Sequence, residues 1–201
     1  MKSVYYIFVI VFFGALICSC KKDSAITQST NNQTISFSNN DFENWTWTPA
    51  LSGWTSNSCP LCVKPWVTYV AVKDSQKVYH GKYSLKLIDN LTPYAPAWVS
   101  SKFACSQKPS SLSAYVICSI NGPDTVSVDI KVLHFGAIVG NGRWTSTTTI
   151  SNWTCINIPI TQTSSTLDSI IITITGGKYH DTTTTLNNST TVWIDYLTLN
   201  K

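Results

Sequence analysis

Across 201 residues the chain carries one arginine, one glutamate and one methionine, and charged side chains make up only 12% of it. The shortages of arginine and of glutamate each argue against a class of function. Binding nucleic acid needs clustered Lys and Arg to neutralise phosphates, and a lone Arg143 within a formal charge of +4 forms no such cluster. Most glycosidases work with two carboxylates at a set separation, one of them with a raised pKa. Here Glu43 is the only glutamate, and Asp74, Asp89, Asp124, Asp129, Asp168 and Asp181 mostly read as strand-surface or turn residues. The chain also lacks a Gly-x-Ser-x-Gly elbow, a His-Glu-x-x-His pair and a phosphate-binding glycine loop. No amphipathic run is long enough to mark a helix. His80, His134 and His180 are scattered, and no second cysteine pair at ligand spacing follows Cys59 and Cys62, which argues against a zinc site.

What is abundant is Thr, Ser and Asn, together with eight Trp and nine Tyr. A neutral polar surface with aromatics suits sugars better than polyanions. At the start, Lys2 precedes an apolar run from Val4 to Ile17, shorter than the ~20 residues that span a bilayer. It reads as a signal peptide over residues 1–19. Ile17-Cys18-Ser19-Cys20 resembles a bacterial lipobox, which makes Cys20 the lipidated first residue of the mature chain. An ordinary secretory signal or an uncleaved anchor is the alternative. The Ser, Thr, Asn and Gln of residues 20–33 form a flexible tether, and the expected location is the outer membrane, lipid-anchored, on its periplasmic or outer side.

Five cysteines then remain: Cys59, Cys62, Cys105, Cys118 and Cys155. In an oxidising compartment disulfides are expected. Cys105 and Cys118 flank a polar turn, and each follows an apolar residue two positions earlier, so these two are paired first. Cys59-Pro60-Leu61-Cys62 reads as a local bridge or two buried thiols rather than a redox motif, since no βαβ setting surrounds it.

From Thr34 to Lys201, short runs alternate apolar and polar residues, the pattern of strands with one buried face. Val126, Val128, Ile130 and Val132 make the clearest run; Tyr83-Leu85-Leu87, Ile156-Ile158-Ile160 and Ile170-Ile172-Ile174 are others. Turn signals separate them at Asn121-Gly122-Pro123, Gly140-Asn141-Gly142 and Gly176-Gly177. Nine or ten such strands suffice for an all-β fold, a two-sheet antiparallel β-sandwich of the jelly-roll type.

Three separated pieces carry a family likeness: Asn40-Asp41-Phe42-Glu43, Gly81-Lys82-Tyr83-Ser84-Leu85-Lys86-Leu87, and Val192-Trp193-Ile194-Asp195-Tyr196-Leu197. In this order and spacing the chain resembles the β-jelly-roll domains of carbohydrate-binding modules and of related carbohydrate-metabolism domains on bacterial lipoproteins. The resemblance implies a structural calcium site (Ca2+) tying the two chain ends together, with Glu43 and Asp195 as ligands and Asp41 as a third. The residues supply a separate reason: simple alternation puts Asp195 on one face with Trp193, Leu197 and Leu199, where an unpaired carboxylate is costly and a cation relieves it. An exposed strand edge, or pairing with Lys82 or Lys86, is the alternative.

A glycan site needs aromatic planes beside polar groups. Trp66, Trp98 and Trp144 are the chosen platforms, with Asn141 and Arg143 as polar partners; core packing is the competing fate of any single Trp. The leading function is a non-catalytic glycan-binding domain whose partners are a polysaccharide or oligosaccharide and, through the N-terminal lipid, a membrane. A structural or adhesive envelope protein with a protein partner is the second reading. A jelly-roll lyase using His134 and Arg143 is the third.

Overall fold

A computed structural model describes residues 33–46, 50–58, 69–89, 96–177 and 190–201. The expected signal and lipidation site at Cys20, the Cys59 and Cys62 pair, and Trp66 lie outside the described residues. The strands are β1 (Thr34–Ile35), β2 (Thr55–Ser56), β3 (Ala71–Asp74), β4 (Ser84–Ile88), β5 (Ala97–Ala104), β6 (Ser111–Ser119), β7 (Val126–His134), β8 (Ala137–Ser146), β9 (Ile150–Pro159), β10 (Thr161–Gln162), β11 (Ser169–Gly176) and β12 (Thr191–Asn200). They form two six-stranded antiparallel sheets. The first runs β3-β4-β12-β6-β9, with β1 also on β12; the second runs β10-β8-β7-β11-β5-β2.

The alternating runs build the sandwich as their pattern requires. Val126, Val128, Ile130 and Val132 of β7 stand beside Gly176, Ile174, Ile172 and Ile170 of β11, and all seven apolar side chains are fully buried. From the other sheet, Leu85 and Leu87 of β4, Leu112, Ala114 and Val116 of β6, and Ile156 and Ile158 of β9 close the core. Each fully buried aliphatic side chain of this kind contributes roughly 1.5–3 kcal/mol.

Two expectations fail, each for a physical reason. Gly140-Asn141-Gly142 is not a turn but the middle of β8. Its glycines make room for neighbours: a Cβ on Gly142 would lie 2.6 Å from the Pro159 carbonyl oxygen of the facing sheet, and one on Gly140 would lie 2.6 Å from Cγ of Gln162, its partner on β10 in the same sheet. The turn comes earlier, at Phe135-Gly136, where both residues have positive φ (48° and 82°) between the paired His134 and Ala137. Cys105 and Cys118 are free, buried thiols rather than a disulfide. The chain crosses to the other sheet after Cys105 and β6 then runs away from it. Cys118, seven residues beyond Ser111, ends up about 23 Å down the strand, far past the ~7 Å Cα limit for a bridge.

A one-residue bulge in β12 shapes the outer face. Asp195 pairs with Tyr115 but Thr198 pairs with Ser113, and Tyr196 sits at φ 51° to absorb the extra residue. Val192 and Ile194 before the bulge, and Leu197 and Leu199 after it, are all fully buried. The bulge thus turns Leu197 and Leu199 to the core while Asp195 stays on the outer side with Trp193. The apolar-face argument for Asp195 is corrected accordingly: its neighbours there are Trp193, Tyr115 and the loop before β4.

Candidate functional site

Asp195 and Glu43 grip one loop from its two ends. Asp195 Oδ2 accepts hydrogen bonds from the amides of Tyr79 (2.8 Å) and His80 (2.9 Å). Glu43 Oε1 accepts from the amides of Lys82 (2.7 Å) and Tyr83 (2.9 Å). Gly81 lies between the two pairs at φ 74°, and a Cβ there would fall 2.2 Å from Glu43 Oε1. Glu43 is itself placed by a turn in which Phe42 is fully buried and Asn40 exchanges two hydrogen bonds with Leu197, each 2.8 Å. Asp41 Oδ1 accepts from the Glu43 amide at 3.4 Å. The two ends of the domain are therefore tied together through protein groups.

Asp195 is fully buried, and its Oδ1 has no hydrogen-bond partner among the described residues. Burial pushes its carboxyl up to about 6; the amides of His80, Tyr79 and Tyr196 pull it down, and the negative charge of Glu43 adds to the rise. Among the described residues no three His, Cys, Asp or Glu side chains gather as a metal-binding group, so a cation here would rest on Asp195, Glu43 and backbone oxygens. Lys86 does not neutralise Asp195: its Nζ lies over the Trp193 ring at 5.2 Å, as does Lys77 Nζ at 3.6 Å. Rings cover the clamp. Tyr79 stacks on Tyr115 with centroids 3.4 Å apart, Trp153 meets Tyr79 edge-on at 6.1 Å, and Tyr196 lies 4.6 Å from His80. Reading the sequence missed Tyr79 and Tyr115; the signal for Tyr115 was its place out of phase with Leu112, Ala114 and Val116.

The outer face of the second sheet collects three of the expected ligand residues. Positions opposite in phase to the buried isoleucines of β11 point outward. One row runs Arg143, Asp129, Thr173, Ser100 and Thr55 across β8, β7, β11, β5 and β2. The row beside it runs Thr145, Ser127, Thr175 and Trp98, and the row on the other side Asn141, Lys131, Ile171 and Lys102. Trp98 is half-buried, with its amide held by Asn57 Oδ1 at 2.9 Å, and it stands in a strand rather than the loop its neighbouring prolines suggest. Arg143 Nε meets Asp129 Oδ1 at 2.9 Å, and Ser100 and Thr173 share a 3.1 Å hydroxyl contact. With strands about 4.8 Å apart and an offset of one row along the strand, Trp98 and Arg143 are about 16 Å apart on the sheet, a span of a few sugar rings.

Trp144 does not join this face. It stands beside Val128 in the ladder and packs against the core. His134 and Arg143 are not brought together either: Arg143 pairs with Asp129, five residues or about 17 Å up β7 from His134. His134 Nδ1 instead lies 3.7 Å from Asp168 Oδ2.

No protein-family model and no curated protein matches the chain. Among solved structures it is similar to TmCBM61 in complex with beta-1,4-galactotriose, at 11% identity and TM-score 0.44, over 81% of this chain and 95% of that one. It is similar to a structure from work on promiscuous carbohydrate-binding modules of the β-sandwich superfamily, at 13% identity and TM-score 0.48, over 83% of this chain and 60% of that one. A protein described as a "putative glycoside hydrolase" from Bacteroides thetaiotaomicron is similar at 10% identity and TM-score 0.48, over 65% of this chain and 56% of that one. These likenesses are of fold.

Proposed function

We propose that the protein is a non-catalytic glycan-binding domain, held at the cell envelope by a lipid on Cys20, whose ligand lies across the outer face of the second sheet. The observation that carries this reading is the register of that face. It sets the Trp98 ring, the Ser100, Thr173 and Thr175 hydroxyls, Asn141 and the Asp129–Arg143 pair side by side on rigid strands. A sugar needs both kinds of group, an apolar plane for its C–H face and fixed donors and acceptors for its hydroxyls. Pre-set groups on strands lose little entropy on binding. Single contacts of this type are weak, and a tethered array of domains on one polymer gains by avidity.

A calcium ion at the clamp belongs to the same proposal. Support comes from the buried Asp195 Oδ1 with no hydrogen-bond partner among the described residues and from the repulsion between Asp195 and Glu43. Those two would hold it, and its charge would neutralise a buried carboxylate.

The test is a glycan array probed with the mature chain, followed by titration of any hit. Trp98→Ala and Arg143→Ala are expected to weaken binding while Tyr196→Ala, on the opposite face, does not. Loss in Tyr196→Ala with retention in Trp98→Ala moves the site to the other sheet. An array without hits, together with a captured envelope protein, replaces the reading with the adhesive one.

A further inference from the structure

The hairpin joining β7 and β8 ends in a feature the glycan face does not use. Phe135 is 90% exposed and Ile138 is 56% exposed, the two most exposed large apolar side chains among the described residues. Phe135 also occupies a position that disfavours it. The two-residue turn has positive φ at both Phe135 and Gly136, the geometry in which Asn-Gly or Gly-Gly is preferred and a bulky side chain is strained. Folding alone gives no reason for a phenylalanine there, because its ring packs on no core; it lies only against His134, centroids 4.4 Å apart. Strain and exposure at the same residue point to a contact outside the chain.

The tip's place in the fold says which contact. Thr34, the first strand residue after the tether, pairs with Asn200, which pairs with Ser111. Thr34 and Ile35 line one groove with Ala104 and Cys105. Ala104 pairs with Ser169 and Ser169 with Leu133, while Asp168 accepts a hydrogen bond from the Phe135 amide. The hairpin tip and the entry of the N-terminal tether are thus at one end of the sandwich. Exposed lysines stand at that end as well, Lys108 before β6 and Lys201 after β12, with Lys102 and Lys131 about 13 Å further up the outer face in the row of Asn141. The nearest carboxylate, Asp168, accepts hydrogen bonds from Ser169 Oγ and the Phe135 amide, which hold it below the usual carboxylate range, so the lysines of this end outweigh one negative charge at the tip.

An apolar tip with a rim of lysines is the surface that fits an anionic bilayer: aromatic and aliphatic side chains enter the interface, and each Lys near it gains from the negative surface potential. We infer that the Phe135–Ile138 hairpin tip docks on the membrane that holds the chain's own lipid, standing the sandwich on end. This inference rests on the reading that Cys20 is lipidated. Docked in this way, the strands run away from the bilayer and the face bearing Trp98 and Arg143 stays open to polymer, whereas a freely swinging domain would spend part of its time with that face against the lipid.

The test uses the full lipidated chain in vesicles of phosphatidylethanolamine and phosphatidylglycerol, with a benzophenone amino acid replacing Phe135 or, at the opposite end of β8, Thr145. Several-fold more lipid adduct at 135 than at 145 is expected, reduced several-fold by Ile138→Asp. Equal yields at the two positions, or adducts at 135 that are protein rather than lipid, overturn the inference. Labelling with a palmitate analogue reads the anchor separately. Label without lipid adducts removes docking and keeps the anchor; no label removes both.

Discussion

Glu43 and Asp195, 152 positions apart in sequence, hold adjacent stretches of the same loop, and burial, with the like charge of Glu43 adding to it, raises the proton affinity of Asp195. Structural integrity at this point is therefore bound to the charge state of one carboxyl.

In calcium-free buffer the sign of the pH dependence follows. Asp195 in the folded state holds its proton up to about 6, against 3.8 for an ordinary carboxyl. Its contribution is fully present below about pH 4 and is lost as pH rises through about 6, by about 3 kcal/mol from a shift of roughly two pKa units. Urea unfolding at pH 4 and pH 7.5 should show the fall, and Asp195→Asn should flatten it. Millimolar calcium should restore the loss at pH 7.5 if the ion binds here. A melting transition at pH 7.5 that ignores both EDTA and calcium removes the ion from the account.

Gly81→Ala should weaken the clamp from inside the loop. The added methyl meets Glu43 Oε1 and the backbone stays at positive φ, which together cost about 1–2 kcal/mol or more. The melting temperature should drop by several degrees, and proteolysis should cut first between Lys77 and Tyr83. An unchanged melting curve with an uncut loop would falsify the clamp as a stabilising element.

The core was legible in the sequence because a strand with one buried face repeats every two residues, and Val126 to Val132 or Ile170 to Ile174 can be read without knowing their partners. The outer faces were less legible. Asp195 was placed with Leu197 and Leu199 because the β12 bulge is absorbed by Tyr196 at positive φ, and a tyrosine gives no local warning of that conformation. Gly140 and Gly142 looked like a turn because a glycine that admits a neighbouring backbone is spelled the same as one that reverses the chain. Trp98 and Trp144 were equivalent as letters; only the register with β11 and β7 shows that one ring faces out and the other in.

Phe135→Asn should stabilise the protein. Asn tolerates the left-handed region that a phenylalanine enters only with strain, and Asn-Gly is a favoured pair for a two-residue hairpin. A gain of about 1 kcal/mol corresponds to about 2–4 °C in melting temperature for a domain of this size. The same substitution should lower recovery of lipid adducts from a benzophenone at Ile138 in the vesicle experiment. A variant more stable yet less docked separates a residue kept for contact from one kept for folding. A drop in melting temperature would show that the ring supports the fold after all.

Trp98 and Trp144 offer the sharpest contrast, since the same substitution should fail in opposite ways. Trp144 packs against the core beside Val128, so Trp144→Ala leaves a void and should cost about 2 kcal/mol or more of unfolding free energy. Once folded, that variant keeps the outward row of Arg143, Asp129, Thr173 and Ser100, and its glycan affinity should hold within about twofold, a difference of ~0.4 kcal/mol. Trp98 faces outward, half-buried, and Trp98→Ala should lower affinity about tenfold, equal to about 1.4 kcal/mol, with a smaller effect on stability. Isothermal titration with a hit from the array, paired with urea unfolding of both variants, reads the two quantities on the same protein samples. If Trp144→Ala loses affinity while remaining folded, and Trp98→Ala does not, the ligand enters from the β8 side of the sheet and the face bearing Trp98 is not its platform.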